Sequence, residues 1–409
     1  MNREGRSPPT HLQTQAACLR FTTVLLCGCL FLQRFGLPFG DQSISIVGPL
    51  GLALGAWGLL DGSLVLHRQR TAVFLGLVGV AVIGMGWHAL APGAYDAAPS
   101  QKSMLQFLAL TSFATLAFAA PMDERVFFAR VNRVLAVIAV CGILQFCAQF
   151  LGLHLFRFTG LLPDRWLLEI GYNLEIPVGV GAVVKSNGFF LLEPSIFSQT
   201  MALGLIAEMI TFRRPVYFAL FAGGLGLSFS GTGILVLACF FLFAAPSLGG
   251  RGLAAITVGA GVLAVAAAVM MLAAPDFAGV MVNRLGELSQ PGTSGHLRFI
   301  TPFWLMGDIL ARTPSVLFTG IGPGVSEKLH LAYEFNVNTP VKVFLEYGLP
   351  ALILYLGLFW RGQRGVLQGA LFAPLMLLFL FTGGYQQFPP LLFLVLLFVS
   401  IARLRAAEP

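Results

Sequence analysis

Long apolar runs recur along the chain from Cys18 to Arg405, and no extended polar domain separates them. A helix of about 20 apolar residues is long enough to cross a hydrocarbon core of about 30 Å. The runs predict about twelve spans, near 21–38, 43–66, 71–91, 103–121, 134–155, 193–211, 215–230, 231–246, 252–273, 337–360, 366–382 and 389–403. We therefore expect an all-α, polytopic membrane helical bundle in which residues 1–409 form one domain.

Two polar segments, at about 155–192 and 275–336, are much longer than the other connections. Because loops often carry function, we expect any chemistry to lie in these segments. In the second segment, apolar side chains recur at helical spacing from His296 to Arg312. This pattern predicts an amphipathic helix that lies on the membrane or over a cavity, although packing against the bundle fits it equally well.

The predicted spans near 215–230 and 231–246 are both short. The residues that join them, Ser228 to Gly233, are rich in serine and glycine. This stretch could therefore separate two helices, or it could lie within one broken or re-entrant element.

Composition places the chain among membrane proteins. Hydrophobic residues make up 57% of it and charged residues 11%, and the mean hydropathy is +0.83. The net charge of +7 does not indicate nucleic-acid binding, because an excess of Lys and Arg in a membrane protein is first a topology signal.

The distribution of basic residues predicts the orientation of the chain. If the N-terminus is cytoplasmic, most basic residues outside the two long segments fall on the cytoplasmic side. We expect an inner-membrane protein with both termini cytoplasmic and both long loops periplasmic.

The sequence carries none of the common signatures of soluble enzymes. It has no Walker phosphate loop, no dinucleotide-binding glycine motif, no zinc-protease histidine pair and no serine nucleophile elbow. The six cysteines fall in or beside apolar runs, so neither a disulfide framework nor a zinc site is predicted. We expect no metal and no cofactor.

The first long loop runs into the span near 193–211 through Glu193 and Pro194. Proline suits the first turn of a helix, and a carboxylate beside it is favoured by the positive helix end. Capping or interface anchoring therefore explains Glu193 about as well as catalysis. Lys185, earlier in the loop, could hold a phosphate or extend its charged end to the interface.

The second long loop contains three arginines, Arg284, Arg298 and Arg312, spaced 14 residues apart. Proline and glycine between the first two make one continuous helix doubtful. Arginine is well shaped for bidentate contact with phosphate, so several on one outer face suit a substrate that bears pyrophosphate. His296 and His330 are candidate bases, although exposed loop histidines are usually only solvated.

The span near 337–360 contains two candidate polar residues, Asn338 at its start and Glu346 further along. Asn338 is a natural helix cap before Pro340. Glu346 should lie about two turns further into the membrane. A carboxylate at that depth is costly unless it faces the bundle interior, a cavity or a partner.

The order of these elements resembles the bacterial O-antigen polymerase and O-antigen ligase superfamily. Members carry a basic residue, a glycine and Glu-Pro or Asn-Pro entering a helix, then a serine-rich break. A loop with arginines and a tryptophan follows, then a Gly-x-Gly turn, then an asparagine that opens a helix containing glutamate and glycine. The similar residues here are Lys185, Gly188, Glu193, Pro194, Ser228 to Gly233, Arg284, Arg298, Trp304, Gly320, Gly322, Asn338, Glu346 and Gly348.

The chain departs from this family at three positions. The family often has arginine in place of Lys185, and Ser-Arg in place of Ser230-Gly231. The ligase branch has a catalytic histidine where this chain has Val337, which argues against a ligase, although His330 could substitute.

The resemblance implies a glycosyltransferase at the periplasmic face of the bacterial inner membrane. It would polymerise undecaprenyl-diphosphate-linked repeat units into O-antigen, capsule or exopolysaccharide, without a nucleotide sugar. The expected partners are that lipid-linked glycan, membrane lipids, a chain-length regulator and a flippase. The catalytic candidates are Arg298, Glu193 and Glu346, and the substrate-binding candidates are Lys185, Arg284, Arg312, His330 and Asn338.

Three alternatives remain open. An O-antigen ligase would transfer finished glycan to a lipid or protein acceptor. A transporter of polysaccharide or of lipid-linked sugars fits the many helices, but the unequal loops and the lack of a convincing internal repeat argue against it. A purely structural membrane subunit is the third.

Overall fold

The computed structural model describes most of the chain. The described residues are 11–39, 42–90, 97–156, 158, 162–168, 175–178, 182–244, 249–250, 253–254, 257–259, 261, 289–329, 337–359, 366–381 and 388–405. They are mostly helical. Five helices in this part of the chain are long and apolar enough to cross a membrane: His11–Phe31, Arg68–Leu90, Glu124–Leu151, Pro194–Phe212 and Thr339–Gly357. An all-α membrane protein is therefore confirmed in outline, and the number of about twelve spans stays a prediction.

The helices are numbered in chain order. They are α1 His11–Phe31, α2 Val47–Leu60, α3 Arg68–Leu90, α4 Gln101–Ser112, α5 Glu124–Ala148, α6 Pro194–Ala207, α7 Pro215–Leu227, α8 Gly231–Cys239, α9 Ser294–Phe299, α10 Thr301–Arg312, α11 Val316–Thr319, α12 Thr339–Gly357, α13 Val366–Phe381 and α14 Pro389–Leu396. The π-helical turns Glu208–Phe212, Phe240–Ala244 and Leu397–Ile401 extend α6, α8 and α14.

Short strands also occur, which the apolar pattern does not predict. Two pairs are antiparallel, β1 Gly36–Phe39 with β2 Gln42–Ser45, and β3 Leu64–Leu66 with β4 Leu116–Phe118. A parallel pair joins β5 Met122–Asp123 to β6 Leu404–Arg405. The second pair corrects the predicted span near 103–121: α4 ends at Ser112, and the rest of that run forms a turn and β4.

Among the other described spans, those predicted near 21–38 and 134–155 begin about ten residues earlier, at His11 and Glu124, and several others lie close to their predicted positions. The pattern placed spans near 193–211 and 337–360, and the helices are Pro194–Phe212 and Thr339–Gly357. The short spans near 215–230 and 231–246 are two separate helices, α7 and α8. Most of the predicted span near 252–273 lies outside the described residues.

The amphipathic segment of the second long loop is two helices rather than one. Ile300 (φ −112°, ψ −57°) separates α9 and α10, as the C-cap of the first and the N-cap of the second. Pro302 explains the break, because proline has no N–H to continue the ladder and suits the first turn of a new helix. Leu305 and Ile309 of α10 are buried against Val316 and Leu345, whereas Phe303 is exposed. Packing against the bundle therefore accounts for the apolar face of α10.

Two glycines let the second long loop approach α12 closely. Gly348 breaks the helical geometry of α12 (φ +83°), and a Cβ there would lie 2.4 Å from the carbonyl oxygen of Phe318. Gly320 has φ +69°, and a Cβ there would lie 2.3 Å from the backbone carbon of Glu346. Only glycine fits both the positive φ and the close backbone contact, so the Gly320 turn is held against the middle of α12.

Candidate functional site

The two long loops meet at an ion pair. The guanidinium Nη2 of Arg298 lies 3.4 Å from Oε2 of Glu193, and the two residues are 105 positions apart in sequence. Both side chains are partly accessible, with 19% of Arg298 and 30% of Glu193 exposed. Two of the predicted catalytic residues are therefore brought together where a substrate can reach them.

Glu193 occupies the N-cap position of α6, but its side chain makes no capping hydrogen bond. Its backbone carbonyl accepts from Ile196 and Phe197, while its carboxylate accepts from the hydroxyl of Ser195 at 2.7 Å. The capping explanation of this carboxylate is therefore wrong. A backbone turn holds Glu193, and its side chain stays available to Arg298 and Ser195.

The serine-rich break packs on the first turn of α6. The Thr232 hydroxyl donates to the carbonyl oxygen of Ser195 at 3.0 Å and lies 2.9 Å from the hydroxyl of Ser198. Ser230 is also within 3.0 Å of Thr232, and the N–H of Gly233 donates to Ser198. A Cβ at Gly233 would lie 2.5 Å from the carbonyl oxygen of Ser198, so glycine permits this contact. Hydroxyl groups therefore surround the helix end that carries Glu193.

The segment before Glu193 is organised by Gln145 of α5, a residue that was not predicted. Its Oε1 accepts from the backbone N–H groups of Asn187 and Phe189 and from the Ser186 hydroxyl. Its Nε2 donates to the carbonyl oxygen of Leu155 and to the side chain of Asn187. A glutamine inside an apolar run, as at Gln145 and again at Gln149, is itself a signal, because polar residues within membrane helices commonly have a specific role.

Replacing Gln145 with leucine should destabilise this segment. Leucine leaves the N–H of Asn187 without its acceptor, whereas the N–H of Phe189 keeps Oδ1 of Asn187 at 3.2 Å. A buried unsatisfied group costs about 1–3 kcal/mol. We expect a lower thermal unfolding midpoint in detergent and faster proteolysis of the first long loop. Cys147→Ala, at an exposed position two residues away on α5, is the control. Equal behaviour of the two variants would contradict the role of Gln145.

Lys185 lies in the same segment and is buried, with 6% of the residue exposed. Its backbone N–H donates to the carbonyl oxygen of Ile176 at 2.9 Å. Gly188 and Phe189, with φ values of +73° and +65°, then turn the chain toward α6. This burial contradicts a lysine that extends to the interface.

Arg34 follows α1 and supports the same loop from the other side. It is buried, and its guanidinium donates to the carbonyl oxygens of Leu191 at 2.9 Å and Phe156 at 2.7 Å. It also lies 5.0 Å from the ring centre of Phe158. Burial lowers the pKa of Arg34 to about 10, so the side chain keeps its charge at neutral pH. Its position directly after the first apolar run is the sequence signal that could have identified it.

His296 differs from the expected exposed loop histidine. It is buried two residues before Arg298, and its ring meets Trp304 edge-on at 5.0 Å between centres. Within the described ranges, its Nδ1 has no hydrogen-bond partner. His296 is therefore a buried imidazole on the helix that carries Arg298.

Glu346 belongs to a second, buried cluster. Its Oε1 lies 2.9 Å from Nζ of Lys342, one turn earlier on α12, and it also accepts from the hydroxyl of Ser326. Lys342 in turn lies 2.6 Å from Oε1 of Glu327. Glu346 is 2% exposed and has polar partners. These partners compensate the cost of a carboxylate about two turns inside a membrane-spanning helix. The cluster joins the second long loop to α12, which favours a positioning role for Glu346.

The remaining predicted residues differ in their placement. Asn338 caps α12, where its Oδ1 accepts from the N–H of Val341 at 3.2 Å. Its buried Nδ2 has no partner among the residues that the structure describes. Arg312 is exposed at the end of α10. Arg284 and His330 lie outside the described residues.

Comparison with other proteins does not assign a family. No protein-family model, no curated protein sequence and no solved structure matches this chain. The resemblance to O-antigen polymerases and ligases therefore depends on the sequence elements given above. The function below is argued from them and from the geometry of the site.

Proposed function

We propose that this protein polymerises undecaprenyl-diphosphate-linked oligosaccharide repeat units at the periplasmic face of the bacterial inner membrane. The observation that carries the proposal is the partly exposed ion pair between Glu193 and Arg298. It provides a carboxylate and a guanidinium within one substrate's reach. Glycosyl transfer from a lipid diphosphate needs both, a base for the acceptor hydroxyl and a cation for the leaving group.

The proposed step is a displacement at the anomeric carbon of the donor glycan. The acceptor hydroxyl oxygen forms the new glycosidic bond, and the bond from the anomeric carbon to the diphosphate oxygen breaks. The hydroxyl proton passes to the carboxylate of Glu193. The electron pair of the broken bond stays on the lipid diphosphate, whose negative charge Arg298 stabilises.

The ion pair also defines the resting state of the proposed site. At 3.4 Å, Arg298 and Glu193 form a long, partly exposed contact, and such pairs contribute only about 0–1 kcal/mol. A diphosphate can therefore compete for Arg298 at low cost. When Arg298 turns to the diphosphate, Glu193 keeps Ser195 as a donor and is freed to accept a proton.

The proposal includes the expected topology and partners. Both termini lie in the cytoplasm, and Glu193 and Arg298 lie outside it. A flippase delivers the lipid-linked units to that face, and a chain-length regulator limits the polymer. Val337 replaces the histidine that the resemblance associates with ligases, which favours polymerisation over ligation.

Gene deletion and complementation test the proposal. Lipid-linked and surface glycans are extracted and resolved by size after deletion and after restoration of the wild-type chain. We expect deletion to leave single repeat units on the acceptor lipid, and restoration to return the full ladder. Long chains accumulating on the carrier lipid would indicate a ligase instead, and units trapped in the cytoplasmic leaflet would indicate a flippase. Unchanged ladders after deletion would contradict the proposed activity.

A further inference from the structure

A groove of about 610 Å³ lies between α1 and α5, away from the ion pair of the long loops. Its polar lining consists of Gln13, Arg20, Thr23 and Arg130, and its apolar lining includes Leu19 and Val24. The groove therefore combines two arginines with hydrocarbon surface. The proposed glycosyl transfer uses neither arginine.

The charge of the groove is uncompensated. None of its lining residues is acidic. Within the part of the chain that the structure describes, neither Arg20 nor Arg130 forms an ion pair, whereas Arg214, Arg298 and Lys342 do. Arg20 is exposed and Arg130 half-buried, so both guanidinium groups are accessible to an anion from outside the described structure.

Both arginines lie well inside helices that can cross a membrane. Arg20 is in the third turn of α1 and Arg130 in the second turn of α5. In the predicted topology both helices begin on the cytoplasmic side, so both arginines lie near the cytoplasmic headgroup level. At that level a guanidinium group meets the negative surface potential of anionic lipids, which favours basic side chains.

The surface beyond the arginines is apolar and exposed. On α5, Val137, Val140 and Leu144 follow Arg130 at intervals of three to seven residues, which places them on one helix face. Val24 of α1 is also exposed, four residues after Arg20. An apolar stripe that leads away from a pair of arginines matches an acyl chain attached to a phosphate.

We propose that this groove binds an anionic phospholipid of the cytoplasmic leaflet. The phosphate lies between Arg20 and Arg130, where guanidinium groups can donate to its oxygens, and an acyl chain follows the exposed stripe of α5. Basic sites between membrane helices on this side are suited to anionic headgroups. Such binding is independent of the proposed glycosyl transfer.

Lipid binding to the full-length protein tests this proposal. The chain is purified in a neutral detergent, and dioleoyl phosphatidylglycerol or dioleoyl phosphatidylcholine is added. Native mass spectrometry measures bound lipid, and thermal denaturation measures the shift in Tm. We expect phosphatidylglycerol to bind and raise Tm, with phosphatidylcholine doing neither at the same concentration. Arg20→Gln/Arg130→Gln should weaken phosphatidylglycerol binding roughly tenfold to thirtyfold, because each basic residue contributes separately.

Arg125→Gln is the matched control. Arg125 is exposed in the first turn of α5 but does not line the groove. Equal affinity in the wild type and the double variant would overturn the proposal, as would an equal loss in Arg125→Gln or equal binding of both lipids. If the double variant does not fold, the single glutamine variants are compared with Arg20→Lys and Arg130→Lys. Binding that survives only in the lysine variants supports the groove, and loss in both series overturns it.

Discussion

Arg298→Ala should abolish chain growth while the protein remains folded in the membrane. In the proposed step, Arg298 stabilises charge that develops on the diphosphate, and removing one such group typically costs about 100-fold to 1,000-fold in rate. Its partly exposed pair with Glu193 contributes little to stability, about 0–1 kcal/mol. We therefore expect single repeat units and no ladder at normal membrane levels, measured by size-resolved glycan analysis.

Two comparisons separate a chemical role for Arg298 from a structural one. Arg165→Ala removes another exposed arginine of the long loops, outside the ion pair, and should leave the ladder intact. The exchanged variant Glu193→Arg/Arg298→Glu restores the attraction but reverses the two groups. If the pair serves only to join the loops, the exchange restores the ladder. If each group has its proposed role, the exchanged variant stays inactive. A normal ladder in Arg298→Ala would remove this residue from the site.

Lys342→Met should cause the largest loss of stability among these variants. Glu346 is 2% exposed, and without Lys342 its carboxylate becomes a buried charge without a compensating cation. Removing one partner of a buried pair costs about 3–5 kcal/mol. We expect a markedly lower thermal unfolding midpoint in detergent and reduced accumulation in the membrane. Lys328→Met, at an exposed lysine of the loop turn that carries Ser326 and Glu327, should change the midpoint little.

A second substitution shows whether Glu346 has more than a positioning role. In Lys342→Met/Glu346→Gln the buried charge is removed from both positions, and the amide can still accept from Ser326. We expect most of the lost stability to return. If Glu346 only positions the second long loop, the recovered protein makes a ladder, whereas a stable but inactive protein would assign it a direct role. A midpoint for Lys342→Met that matches Lys328→Met would contradict the buried-pair argument.

Part of the candidate site could be predicted from the sequence. Lys342 and Glu346 are four residues apart in a predicted helix, a spacing that places them on one face. Asn338 before Pro340 predicts its cap, and the structure confirms it. Gln145 and Arg34 were also visible as polar residues in or beside apolar runs. Their partners are backbone groups of the first long loop and, for Gln145, the side chains of Ser186 and Asn187, and no local pattern identifies those.

The sequence alone determined the class of the protein and the position of most described spans. In a bilayer a helix satisfies its own backbone polar groups, so a long apolar run in the sequence predicts a membrane-spanning helix at that position. Only the tertiary structure decided that Glu193 meets Arg298, that the end of the span near 103–121 becomes β4, and that the Gly320 turn rests on α12. These contacts join residues far apart in sequence. They depend on how helices pack against one another, which the apolar pattern does not encode.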